Sequence, residues 1–169
     1  MVEGSSFAPL MSPLGRRLQE MKQRVAVAES CTGGLLAAML TDLPEASQVF
    51  LGGFITYTYE AKERLLGIPR TLLDDKGAVS EEVARLMAEA ARDRVGAGLG
   101  LSITCIAGPG QQEGKPAGLG YVAASTSRRT LVRQLHLGEG RASNRVAAVE
   151  AAVQLGIEAL DEGLRTGGV

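Results

Sequence analysis

A chain of 169 residues fits one domain, and 45% hydrophobic residues are enough to build a core. Its 22% charged residues balance to a formal net charge of -1, so bulk charge gives no reason to seek nucleic acid. One histidine and two cysteines exclude a structural zinc site, and the absence of Trp with only 4% aromatics predicts a core of Ala, Val, Leu and Ile.

The opening residues contain acid and proline and do not read as a signal peptide, and no stretch reaches transmembrane length. The expectation is a cytoplasmic protein with Cys31 and Cys105 as free thiols, frayed over residues 1–11 and folded as a single domain over 12–165. Ser12-Pro13 reads as an N-cap and first helical position, with Leu14, Leu18 and Met21 at helical spacing over about 13–23.

Arg24 to Glu29 is a short apolar run that stops at Ser30 and predicts a buried strand. Gly33-Gly34 opens a helix from Leu35 to Leu40, ended by Asp42-Leu43-Pro44. Val49 to Thr58 predicts a second strand, interrupted at Gly52-Gly53 by a bulge or a close backbone approach. A short helix from Glu60 to Leu66 stops at Gly67 and Pro69. Ser80 caps a longer helix whose buried face holds Val83, Leu86, Met87 and Ala90. Leu99 to Ile106 is the next strand, Gly118 to Thr126 and Leu131 to Leu137 form a hairpin, and a last helix runs from Arg141 to about Leu160. Strands alternating with helices predict an α/β fold: a single three-layer α/β/α domain with a mixed sheet of about five strands.

Ligands of open α/β sheets collect at the carboxyl ends of strands, where two loops stand out. In Glu29-Ser30-Cys31-Thr32-Gly33-Gly34 a hydroxyl sits at a strand-to-helix turn, and the backbone amides from Cys31 to Gly34 would face an anion or oxyanion. Alone, the segment reads more simply as a capped helix start. A serine needs a base within reach, and His136, in a strand with apolar neighbours, reads as structural. The base is then a lysine or a carboxylate. Of Lys22, Lys62, Lys76 and Lys115, Lys62 follows the second strand and approaches Ser30 if the first two strands are neighbours; otherwise it is a solvated helical residue. Residues 107–118 are glycine-rich with one cation, Lys115, and suit either a phosphate-wrapping loop or an ordinary connection. Arg141 and Arg145 share a helical face and could clamp an anion or stand in solvent.

Five segments occur in order: Ala28-Glu29-Ser30-Cys31-Thr32-Gly33-Gly34; Gly52-Gly53-Phe54-Ile55-Thr56-Tyr57; Ala61-Lys62 to Gly67; Gly77-Ala78-Val79-Ser80; and Thr104 through Gly108-Pro109-Gly110 to Gly118. Together they resemble the CinA C-terminal domain family, which includes the stand-alone nicotinamide-mononucleotide deamidase PncC, over about residues 12 to 163. The resemblance implies hydrolysis of nicotinamide mononucleotide (NMN) to nicotinate mononucleotide and ammonia, in pyridine nucleotide salvage, by a metal-free serine–lysine mechanism without a cofactor. It implies Ser30 as nucleophile, Lys62 as base and Tyr57 as an assisting group. The amides of Cys31, Thr32, Gly33 and Gly34 would serve the oxyanion, and Thr104 would line the site. Gly108, Pro109, Gly110 and Arg145 would hold the phosphate side.

The chain departs from the family pattern at Tyr59, where a small polar residue is expected, and at Cys105 and Gly98, where Gly and Asp are expected. Gln111-Gln112-Glu113 replaces a more glycine-rich stretch. Cys105 predicts a narrowed pocket floor. These departures motivate an alternative, a catalytically silent binding module linked to competence and DNA damage. Cys31 is a further, lesser candidate nucleophile, since a helix N-terminus lowers a thiol pKa. No membrane or direct nucleic-acid partner is expected. The Ala-rich last helix, with Val146, Val149, Val153 and Leu155, suits a homo-oligomer interface or packing on the sheet.

Overall fold

The structure, a computed structural model, describes residues 8–138 and 140–165, the last three as backbone only. Its strands are β1 (Val25–Glu29), β2 (Phe50–Ile55), β3 (Leu99–Cys105), β4 (Leu119–Ser125) and β5 (Thr130–His136). They form one mixed sheet in the order β2-β1-β3-β4-β5. β1 runs parallel to β2 and β3, whereas β4 runs antiparallel to its neighbours β3 and β5. The helices are α1 (Ala8–Glu20), α2 (Leu35–Thr41), α3 (Tyr59–Leu66), α4 (Arg70–Lys76), α5 (Glu81–Val95) and α6 (Arg141–Arg165), with a 3-10 turn at Ala46–Gln48.

Alternation along the strands sorts the two faces. Val25 and Val27 of β1, with Leu99, Leu101 and Ile103 of β3, join the core under α1, α2 and α6. Ala26 and Ala28 point the other way, into the cluster holding Val83, Met87 and Ala91 of α5. That second face is small by composition, and α5 comes close: a Cβ on Gly100 would lie 2.0 Å from the Ala88 carbonyl oxygen. The Ser102 hydroxyl of β3 donates to the Ala84 carbonyl at 2.6 Å and so fastens this helix.

Two expectations about the N-terminus change. Residues 8–11, expected to fray, belong to α1, and Ser12 is not its cap but donates its hydroxyl to the Ala8 carbonyl at 2.6 Å. The reason is apolar: Met11 continues the stripe of Leu14 and Leu18, all three fully buried. Pro13 is tolerated because its missing N–H and its ring affect only the Pro9 carbonyl, in the frayable first turn. Residues 1–7 lie outside the described residues. Both alternatives for Gly52-Gly53 are found: Val25 pairs with Phe50 and Ala26 with Gly52, leaving Leu51 as the extra residue of a bulge, and a Cβ on Gly53 would lie 2.4 Å from the Val27 carbonyl oxygen. On α5, Leu86 and Ala90 are only partly buried, and Ala84 and Ala88 take the inner positions. Val149, Val153 and Leu155 of α6 are buried in the chain's own core, so packing on the sheet accounts for that apolar face. No helix among the described residues is long and apolar enough to cross a membrane.

Candidate active site

The alternation that sorts the core also builds the site. Beyond Ala28, Glu29 continues on the α2 face and Ser30 on the α3 face. Glu29 is fully buried, and its carboxylate accepts the amides of Gly34 (3.1 Å), Leu36 (3.1 Å) and Ala37 (2.8 Å). The chain therefore supplies its own anion to the N-terminus of α2.

This changes the expected oxyanion donors. The Gly33 amide is taken by the Ser30 carbonyl at 3.1 Å and the Gly34 amide by Glu29. Among the amides expected to serve, those of Cys31 and Thr32 have no hydrogen bond to the described residues. The two glycines have φ of 60° and 99°. They let the chain turn sharply into the helix.

On the other face Ser30 meets Lys62. The Lys62 ammonium nitrogen donates to Ser30 Oγ at 2.9 Å and to the Thr56 carbonyl at 2.6 Å. Lys62 is fully buried and Ser30 is 8% exposed. Burial pushes the lysine pKa down to about 8, partly offset by the negative field of Glu113. α3 delivers the lysine because Thr58 caps it, accepting the Ala61 amide at 3.1 Å, and Gly67 stops it in the left-handed region.

Ser30 and Cys31 open onto a cleft of about 220 Å³ walled by Tyr57, Val79, the Gly108–Gln112 loop and Arg141. Tyr57 is exposed, and its hydroxyl accepts from Arg141 Nη2 at 2.9 Å. Arg141 Nη1 also donates to the Gly108 carbonyl at 3.1 Å, tying the two walls together. Gly108, Pro109 and Gly110 line the cleft. Thr104 lies behind its wall, its hydroxyl donating to the Ala78 carbonyl at 2.8 Å. Arg145 is half-buried behind the nucleophile loop, donating to the Thr32 carbonyl at 2.7 Å. Its Nε and the Thr32 hydroxyl are buried without a hydrogen-bond partner among the described residues. Of the two arginines on one helical face, Arg141 therefore reaches the cleft and Arg145 braces the loop. Their spacing was visible in the sequence; the angle of α6 to the sheet, which decides between them, was not. Gln111, Gln112 and Val79 also wall the cleft; the sequence marked the first two as departures and Val79 as part of a matching segment, without giving any of them a place in the site.

The expectation of free thiols is overturned. Cys31 and Cys105 form a disulfide with a Cα separation of 5.5 Å. Strand register explains it: Glu29 lies opposite Ile103 in the parallel β1–β3 pair, so residues two further along each strand fall side by side. Cys105 thus closes the pocket floor as half of a cystine, and Cys31 has no thiol with which to attack. Tyr59, another departure, donates its hydroxyl to Glu113 at 2.7 Å, so two of the unexpected residues are partners.

The fold and site are those of a three-layer α/β protein with a buried serine–lysine pair at the carboxyl end of its central strands. The family model of the CinA C-terminal domain matches residues 8–160, and the chain belongs to that family. A CinA-like protein of Desulfovibrio desulfuricans is 50% identical over 80% of this chain and 32% of its own length. One from Geobacter sulfurreducens is 46% identical over 82% and 34%. The chain thus spans about a third of the length of the curated relatives it matches. Among solved structures, a competence/damage inducible protein of Agrobacterium tumefaciens is 34% identical with a TM-score of 0.87, over 95% of this chain and 99% of that one. A CinA superfamily protein of Escherichia coli gives 31% and 0.85, over 92% and 91%.

Proposed function

We propose that this chain is a nicotinamide-nucleotide amidase that hydrolyses NMN to nicotinate mononucleotide and ammonia through a serine–lysine mechanism. The observation that carries the reading is the 2.9 Å contact between Lys62 Nζ and Ser30 Oγ, in a site where burial lowers the lysine pKa. A neutral Lys62 takes the Ser30 proton while one of its own N–H groups stays on the Thr56 carbonyl. Ser30 Oγ attacks the carboxamide carbon, and the Cys31 and Thr32 amides are the available donors for the oxyanion. The new ammonium returns its proton to the leaving nitrogen, and ammonia departs from an acyl-serine. Lys62 then deprotonates a water that attacks the ester, releasing the carboxylate and restoring Ser30.

Arg141, at the cleft wall, is the cation best supported for the phosphate end, in place of Arg145. Binding there would orient the amide toward Ser30. The test is ammonia release from NMN by purified protein. Wild type is expected to release ammonia steadily, whereas Ser30→Ala releases none above the uncatalysed rate and Cys31→Ala remains active. No release by wild type, or equal release by Ser30→Ala, sinks the mechanism. Binding of NMN without turnover would instead favour the silent-module alternative.

A further inference from the structure

The loop over residues 107–118 is fastened at one point by an unusual residue. Glu113 and Gly114 are the centre of a tight turn in which Gln112 and Lys115 exchange backbone hydrogen bonds at 3.1 and 2.9 Å. Both central residues have positive φ, 56° and 70°. Glycine takes this geometry freely, but a glutamate at positive φ persists only where its surroundings hold it.

The surroundings do hold it. The Glu113 side chain is 13% exposed and accepts from the Tyr59 hydroxyl (2.7 Å), the Ala78 amide (2.9 Å) and the Val79 amide (3.2 Å). Lys115 stands 3.6 Å away and donates to the carbonyls of Lys76 and Val79. Gly77 makes room: a Cβ there would lie 2.2 Å from Glu113 Oε2. The segment so gripped matters to the cleft on both sides. Gln111, Gln112 and Val79 are its wall, and Ala78 accepts the Thr104 hydroxyl.

We propose that Glu113 is a positioning residue for the Ser30–Lys62 reaction, a latch that fastens the 107–118 loop to α3 and the Ala78–Val79 segment and turns an acidic charge toward Lys62. The proposal rests on the amidase reading and assigns a task to two departures from the family pattern. The charged and titratable groups around the latch are Tyr59 on α3, Lys115 on the same loop and the buried Lys62. Arg70 of α4 sits 5.6 Å over the Tyr59 ring, and Asp74 of α4 acts on Tyr59. Burial acts to raise the Glu113 pKa, but the hydrogen bonds from Tyr59, Ala78 and Val79 outweigh it and hold the carboxyl below its usual range. The latch therefore stays ionised where the amidase would work.

Two variants separate its charge from its grip. In Glu113→Gln, loss of the charge moves the acidic limb of the kcat/KM profile to lower pH, since Lys62 loses the field that favours its protonated form. The loosened wall raises KM by about 5-fold. Tyr59→Phe keeps the charge, so its limb stays at the wild-type pH while KM rises. A Glu113→Gln enzyme with unchanged limb and KM overturns the proposal. So does one in which a lower thermal midpoint accompanies the activity loss but the limb stays put, because that marks a purely structural role. Hydrogen exchange over residues 110–117, measured without substrate, distinguishes failure of the amidase reading from failure of the latch. Faster exchange in Glu113→Gln supports the latch even if wild type releases no ammonia, and wild-type exchange overturns it.

Discussion

Burial of Lys62 imposes a cost on the folded protein that the proposed chemistry needs. An unfolded lysine titrates near 10.5, and here it titrates near 8. Between those values the unfolded chain binds a proton that the folded one does not, so stability rises with pH across that window. Below about pH 8 the full penalty of about 3 kcal/mol is present. Lys62→Met is accordingly expected to raise stability at pH 7 by about 1–3 kcal/mol in urea unfolding, while abolishing ammonia release. The unpaired Thr56 carbonyl limits the gain. In the wild type, kcat/KM is expected to climb as pH passes through about 8, where Lys62 becomes neutral. A limb near pH 6 would assign the base elsewhere. At this scale the residues alone placed a hydroxyl at a strand-to-helix turn and left the base open between a lysine and a carboxylate; the family resemblance is what pointed to Lys62. Spacing did not separate Arg141 from Arg145, and the resemblance pointed to Arg145, whereas Arg141 is the one that lines the cleft.

At the scale of elements, Glu29 turns a strand end into a helix start. Its carboxylate takes three amides at the helix start, one of them buried and two partly buried. Glu29→Ala is expected to cost about 3 kcal/mol or more in thermal or urea unfolding, with loss of activity as the Ser30–Gly34 turn loosens. A variant as stable as wild type would show that other groups or water take over the amides. The elements legible in the sequence, through periodicity, caps or bounding turn residues, were β1, β2, β3, the β4–β5 hairpin, α2, α3, α5 with its Ser80 cap, and α6. α4 was missed because its seven residues follow Gly67 and Pro69, which read as punctuation, and no side chain caps it. The start of α1 was misplaced because Ser12-Pro13 has the composition of a cap, and burial of Met11 overrode that local signal.

Across the whole molecule, what the sequence concealed is what depends on register between distant strands and on contacts between loops. The sheet class followed from the order of elements, but the meeting of positions 31 and 105 required knowing that β1 and β3 are neighbours in a particular alignment. The Tyr59–Glu113 contact joins positions 54 apart through loop geometry that no periodicity encodes. Both involve residues that looked like departures from a pattern, and in the folded chain each finds a partner.

The Cys31–Cys105 bond spans 74 positions and makes the chain a covalent ring with two tails. The ring carries α2 to β3 and with them Lys62, while Ser30 stands on the tail just outside. A protease nick in the ring, for example at the exposed residues Pro69 and Arg70, cannot separate the molecule into two. The nicked protein is expected to run as a single species without reductant and as two fragments after a dithiol is added. Two fragments in both lanes would mean that the ring is open.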